Sequence, residues 1–355
     1  MVAIHPDGQL LGDRRRLARR TTLALVALLL VAAYASLAFG ASGVSLPAAL
    51  ADLLAGSEID ARARIILWDI RLPRLLTGLM VGASLAVAGA VLQGLFRNPL
   101  ADPGLVGVSA GAGLGAISAI VLGGLLPAGL AGLFGPALVP VLAFAGSWLS
   151  VSLLYVIATR GGHTSVATML LGGIALAAMT AAFSGLLIYM ADDQQLRDLT
   201  FWSLGSLAGA SWSKTLAAAP LMLAALVAAP ALSRGLNALA LGEAAAHHLG
   251  IPVQRLKTGA ILVVSAAVGA ATAISGGIGF VGIVVPHLLR LATGPDHRAL
   301  LVNSGLLGAS LLLLADVVSR SIVAPSELPI GIVTAVIGGP FFLWILLRRR
   351  GSLEI

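Results

Sequence analysis

The chain has 355 residues, of which 58% are hydrophobic and only 10% are charged, with a net charge of +7. Soluble domains carry about 25% charged residues, so too few are present to coat a water-facing surface, and a soluble enzyme or a nucleic-acid binder is excluded despite the basic balance. The apolar runs are continuous rather than alternating, which also excludes a transmembrane barrel and leaves an all-α polytopic membrane protein.

A bilayer core of about 30 Å needs roughly 20 apolar residues per helix. Ten such segments are predicted, at about 21–40, 72–95, 104–124, 136–158, 166–190, 213–232, 258–275, 278–294, 299–323 and 329–347. The sixth and eighth have the weakest edges, and Pro220, Pro230 and Pro286 suggest kinks or ends there. Residues 1–20 form a basic N-terminal segment, 21–347 the ten-helix domain and 348–355 a short tail. The arginines from Arg14 to Arg20, the following apolar run and Ala33-Tyr34-Ala35 also fit a cleaved signal peptide. The run continues through Phe39, however, and keeping the first helix gives an even number of spans.

Lys and Arg placement orients the chain. With the N-terminus inside, fifteen of the 22 fall on the inner side and seven on the outer, which puts both termini in the cytoplasm. Cysteine is absent, which removes disulfides, thiolate nucleophiles and Cys-ligated metals. Only Lys214 and Lys257 represent lysine, and neither sits in a phosphate-binding loop, so any ATP must be held by another chain. Glycine is abundant, at 43 residues, as expected where close helix packing drives association in lipid. Gly82-Ala83-Ser84 with Gly89 in the second segment is echoed by Gly269-Ala270-Ala271 with Gly276 in the seventh. Segments five apart run in opposite directions, as an inverted repeat requires.

Three polar stretches interrupt the apolar pattern. Arg71-Leu72-Pro73-Arg74, at the outer entry to the second segment, puts two arginines on one helical face. They could anchor at the interface by snorkelling, or dock an acidic partner. Arg97-Asn98-Pro99-Leu100-Ala101-Asp102-Pro103-Gly104, at the inner end, reads as a rigid turn in which Asp102 caps the third helix or pairs with Arg97. The inner loop over 233–257 contains Leu241-Gly242-Glu243-Ala244-Ala245-Ala246-His247-His248-Leu249-Gly250. This reads as a short helix with a glycine stop, too short to span and suited to contact with a soluble partner. Its adjacent histidines lie about 100° apart on a helix and make a poor metal pair.

These stretches, with Gly279-Phe280-Val281-Gly282, Pro286-His287, Arg290, Asp296-His297-Arg298 and Glu327-Leu328-Pro329-Ile330-Gly331, resemble the permeases of the iron-siderophore, haem and vitamin B12 ABC importers. The match runs in order from about 65 to 347. Within the family, Met190-Ala191-Asp192-Asp193-Gln194-Gln195-Leu196-Arg197 and Trp202-Ser203-Leu204-Gly205-Ser206-Leu207 look most like the haem permeases. The resemblance implies a type II importer fold like that of the vitamin B12 permease, with ten spans, an inverted repeat and a homodimer in the bacterial inner membrane. It further implies two ATPase subunits inside, which bind ATP and Mg, and a periplasmic binding protein outside. Haem is then the expected cargo, with a ferric siderophore or cobalamin as the alternative.

By the same resemblance, Arg71, Arg74 and Arg320 are expected to dock the binding protein. Leu241, Gly242, Glu243, Ala244, Ala245, His247, Leu249 and Gly250 are expected to couple to the ATPase, with Glu243 capping or pairing there. His163, Thr164, Ser165, Val166 and Ala167, preceded by Gly161 and Gly162, are expected to form the cytoplasmic gate, with the fifth and tenth spans beside the path. No resident metal or catalytic residue is assigned. His163, His287 and His297 invite a role as haem-iron ligands, but a path needs weak, transient binding, whereas an axial histidine would hold the iron. An ion-coupled transporter would need buried acid near mid-membrane, for which Asp316 is the clear candidate, and it can pair with Arg320 at i,i+4.

Overall fold

The computed structural model describes residues 11–349 except 41–42, 58–59, 128, 130–132, 162 and 325. Eight helices among them are long and apolar enough to cross a membrane, and two shorter apolar helices complete the ten expected spans. The first is Leu11–Ala38, which begins within the basic segment rather than after it. The second to fifth are Leu72–Leu95, Val108–Leu122, Leu138–Ala158 and Val166–Met190. The sixth runs from Trp212 to Leu239, with Pro220 inside it and a 3₁₀ step at Ala229–Leu232 around Pro230. The seventh to tenth are Val253–Ser275, Val281–Thr293, His297–Ser319 and Ile330–Arg349. Residues 1–10 and 350–355 of the expected terminal segments lie outside the described residues.

The second span is the central column. It packs against the sixth, seventh, eighth and ninth spans and buries nearly every residue from Pro73 to Leu95. Packing also follows the inverted repeat. The second span lies on the ninth as the seventh lies on the fourth; the third lies on the fourth as the eighth lies on the ninth. The glycine echo takes part in this. A Cβ on Gly82 would overlap the Gly308 carbonyl of the ninth span, while one on Gly269 would meet Phe144 and Ser147 of the fourth. The second contact is looser, at 3.4 Å or more, so the repeat is preserved in partner rather than in spacing.

The third and eighth helices, with 15 and 13 residues, are short for a bilayer. Each follows a non-helical segment that enters the bundle, so Gly282, at the start of the eighth helix, packs on the Leu85 backbone and near Asp102. Several shorter helices fall between spans. Leu46–Leu54 is capped by Ser45, and Asp193–Leu204 is capped reciprocally by Asp192 and Gln195.

Candidate functional site

At the end of the bundle where the second span begins and the ninth ends, the arginines expected to face a partner are buried. Arg71, Arg74 and Arg320 are only 3%, 6% and 5% exposed. Arg74 Nε lies 3.1 Å from both Asp316 oxygens, Nη2 lies 2.8 Å from Asp316 Oδ1, and Nη1 and Nη2 each donate to Glu327 at 2.9 Å. Arg320 Nε stands 3.5 Å from Asp316 Oδ2, the i,i+4 pair read from the sequence, and its Nη2 donates to the Ser36 carbonyl at 2.7 Å. Arg71 donates to the carbonyls of Leu37, Ala38 and Val44, joining the end of the first span to the start of the second. Within a single subunit, then, all three arginines expected to dock the binding protein already hold internal partners. A guanidinium in hydrocarbon must satisfy its donors internally, and here carboxylates and carbonyls take them, except that Arg320 Nε has only its ion-pair contact with Asp316. Asp316, the candidate for ion coupling, is committed to two guanidinium groups and is 1% exposed. Glu327 is the open member, with 35% of its side chain exposed.

Beside this cluster, three of the sequence stretches meet as crossing backbones. Ser206 N donates to Ser275 O at 2.8 Å, Gly277 N to Trp202 O at 3.3 Å, and Ile330 N to Gly205 O at 3.0 Å. Gly205 and Gly276 have φ of +71° and +70°, in the left-handed region that only glycine enters freely. A Cβ on Gly276 or Gly331 would overlap the carbonyl of Trp202 or Leu204 respectively. Nothing in the sequence assigned this junction a role, although its glycines were the available signal.

The inner turn is structural. Arg97 takes φ of +51° at the position after the helix end, Arg97 N reaches Gly94 O at 3.3 Å, and Asn98 N reaches Gln93 O at 3.1 Å, which is a Schellman closure. Asp102 caps the 3₁₀ turn Pro103–Val106 through the Gly104 amide at 2.8 Å. Burial pushes its carboxyl pKa up, partly offset by that amide.

The expected coupling helix is present as Glu243–His248. Gly242 enters it with φ of +108°, and Gly250 closes it with φ of +75°, with Ile251 N on Ala246 O and Gly250 N on His247 O. Ala246 is its buried anchor, while Leu241 and Leu249 stand exposed on either flank. Glu243 was expected to cap or pair at the ATPase. Within the subunit it meets Lys257 Nζ, 2.8 Å away in the second turn of the seventh span.

The expected gate loop is a β-hairpin, with Thr159–Arg160 paired to His163–Thr164 and Gly161 at φ of +56°. Gly162 lies outside the described residues. Ser165 caps the fifth span through the Thr168 amide, so Val166 and Ala167 belong to that helix. A cavity of about 530 Å³ is lined by the hairpin end, by Arg97 and by Glu243 and Lys257 of the coupling region.

Of the histidines, His163 is exposed with Nδ1 3.0 Å from Gly161 O. His287 is buried, with its ring 6.3 Å from that of Phe341. His297 is fixed by Asn237 Oδ1, 2.9 Å from its amide and 2.8 Å from Nδ1. Asn237 also donates to Asp296 at 2.7 Å. Burial would raise the Asp296 pKa, but the Arg298 amide, Asn237 and the charges on Arg298 and His297 hold it below the usual carboxylate range. Among the described residues, no group of three or more His, Asp or Glu could hold a metal ion.

Known proteins are similar to this chain over nearly its whole length. Residues 28–348 match the FecCD transport family. The hemin transport system permease protein HmuU of Yersinia pestis is 46% identical over 326 residues, covering 92% of this chain and 95% of its own. The vitamin B12 import system permease protein BtuC of Escherichia coli O9:H4 (strain HS) is 42% identical over 335 residues, covering 93% and 96%. A solved structure described as an inward-facing conformation of a metal-chelate type ABC transporter superposes with a TM-score of 0.81 at 33% identity, covering 93% of this chain and 99% of the other.

Proposed function

Because the chain belongs to the FecCD transport family, we propose that it is the permease subunit of an ABC importer that brings haem across the bacterial inner membrane. The observation that carries the haem reading is the near-full-length similarity to a permease named for hemin transport. The similarity to vitamin B12 permeases keeps cobalamin, or a ferric siderophore, as the second reading by the same mechanism. The chain itself is a conduit. ATP and Mg belong to two ATPase subunits on the cytoplasmic face, and cargo arrives on a periplasmic binding protein.

The functional unit is a homodimer with the path along its axis, between the fifth and tenth spans of the two copies. The fifth span buries only Met169, Gly173 and Thr180 within its own subunit, which leaves most of its surface for a second copy, cargo or lipid. Exposed Leu241 and Leu249, flanking the helix Glu243–His248, supply the apolar contact for the ATPase. Docking outside works by exchange. An acidic side chain of the binding protein displaces the half-exposed Glu327 from Arg74, while Arg71 and Arg320 keep their internal partners. With an even number of spans and a basic inner face, both termini lie in the cytoplasm.

The test is ATP-driven uptake into proteoliposomes holding permease, ATPase and binding protein, with haem, a ferric siderophore and cobalamin supplied separately. Uptake of haem alone supports the reading, and uptake of another cargo in preference reassigns the substrate. Uptake driven by an ion gradient without ATP would overturn the importer class.

A further inference from the structure

The cytoplasmic hairpin and the coupling helix are tied together through one side chain. Lys257 is 5% exposed, and its Nζ lies 2.8 Å from Glu243 Oε1 and 2.8 Å from the Thr164 carbonyl. Glu243 is the first residue of the coupling helix, and Thr164 is the last of the hairpin, one residue before the Ser165 cap of the fifth span. Gln254, one turn before Lys257, holds the other side of Thr164. Its Oε1 accepts from Thr164 N at 2.9 Å and its Nε2 donates to Thr164 Oγ1 at 2.6 Å.

We propose that Lys257 is the positioning residue that transmits displacement of the coupling helix to the cytoplasmic gate. The inference rests on the function proposed above, with the helix Glu243–His248 against the ATPase and the hairpin end at His163–Ala167 as the gate expected from the sequence. Gln254 fastens the hairpin to the seventh span whether or not the coupling helix moves. The Lys257 ammonium is different, since it joins the first residue of the coupling helix to the last residue of the hairpin. Displacing Glu243 therefore draws the ammonium with it, and with the ammonium the Thr164 carbonyl at the cavity that the hairpin and coupling region line. The residue type suits the task. An ammonium has three rotatable donors and can hold acceptors in two directions, whereas a guanidinium fork favours one planar partner. Only two lysines occur in a chain that otherwise uses arginine for its cations, and this one is buried at the junction.

The experiment uses the complete transporter in proteoliposomes, measuring uptake per ATP hydrolysed for Lys257→Met, Glu243→Gln and the double variant. Loss of a link of this kind should lower the ratio about tenfold. The double variant should be no worse than Lys257→Met alone, because both changes break one series connection. The charge swap Glu243→Lys with Lys257→Glu restores the ion pair but leaves Thr164 O without its donor, so the ratio should stay low. A wild-type ratio in Lys257→Met, deficits that multiply in the double variant, or full rescue by the swap would each overturn the proposal. Spin labels at His163→Cys and His247→Cys, in a chain with no native cysteine, give a second readout that needs no cargo. Their separation should stay constant between nucleotide states with Lys257 present and change in exposed-site variant Glu243→Gln, which removes the pair without disturbing a buried residue. Equal behaviour in the two backgrounds would also overturn it. Failure of the unmodified transporter to import any cargo would count against the function proposed above, while the label distances would still decide the link.

Discussion

Arg74 in the second span grips Asp316 in the ninth, with Nε 3.1 Å from both carboxylate oxygens and Nη2 2.8 Å from one of them. This is a buried, multiply bonded pair joining two helices that also approach closely at Gly82 and Gly308. Removing one partner of such a pair strands the other charge, at a cost of about 3–5 kcal/mol. Asp316→Asn should therefore markedly lower the melting temperature of the detergent-purified permease, and Arg74→Met with Asp316→Leu should recover much of the loss. A single variant as stable as the parent would show that the pair contributes little.

Docking by exchange makes a prediction opposite in sign to simple surface attraction. Glu327 occupies Nη1 and Nη2 of Arg74 at 2.9 Å. Glu327→Ala vacates that position, so the binding protein should associate a few-fold faster with permease in nanodiscs, more so at low salt. Slower association would mean that Glu327 itself contacts the partner.

The ten spans were legible because each is a long apolar run, and the coupling helix because glycines bracket a short polar one. The pairing of Arg74 with Asp316 was not, since the two are 242 residues apart and no local pattern links them. Only the Asp316–Arg320 contact, one helical turn apart, could be read directly. The burial of the three arginines was not legible either, because sequence fixes depth along a helix better than facing. The helix Asp193–Leu204 did carry a signal that was overlooked, the Asp192 and Gln195 capping box. The hairpin at 159–164 is too short for alternation to reveal it.

Close helix approach predicts a contrast between two glycines of the echoed pattern. A Cβ on Gly89 would overlap the Gly282 carbonyl, whereas one on Gly269 would sit 3.4 Å from Ser147 Cβ. Gly89→Ala should destabilise the permease by about 1–3 kcal/mol through forced separation of the second and eighth spans. Gly269→Ala should be near neutral. Thermal unfolding of the two variants in one detergent checks the ranking, and equal effects would remove the steric account.

The exposed leucines beside the coupling helix predict a loss of assembly without a loss of fold. Leu241 and Leu249 are 71% and 60% exposed, so neither contributes much to the permease core. Leu241→Asp with Leu249→Asp should weaken ATPase binding by at least about 2 kcal/mol, the scale of an interface hot spot, and leave the melting temperature of the isolated permease unchanged. Co-purification at parental yield would place the ATPase contact elsewhere.

The gate predicts where a cross-link can form. Thr164 and Met169 are buried within the subunit, Val166 is half-buried, and Ala167 is exposed at the first turn of the fifth span. If the two fifth spans face each other across the dimer axis, Ala167 is the position from which copies can meet. A disulfide needs Cα atoms within about 7 Å, a separation that a closed gate permits and an open one does not. Ala167→Cys should therefore form a linked dimer on oxidation in the closed state, block uptake and regain it on reduction. Met169→Cys, pointing into its own subunit, should do neither. The chain has no native cysteine, so each band on a non-reducing gel reports one engineered pair. Cross-linking at Met169 in place of Ala167 would rotate the path-facing side of the fifth span, and failure at both positions in every nucleotide state would remove this end of the span from the gate.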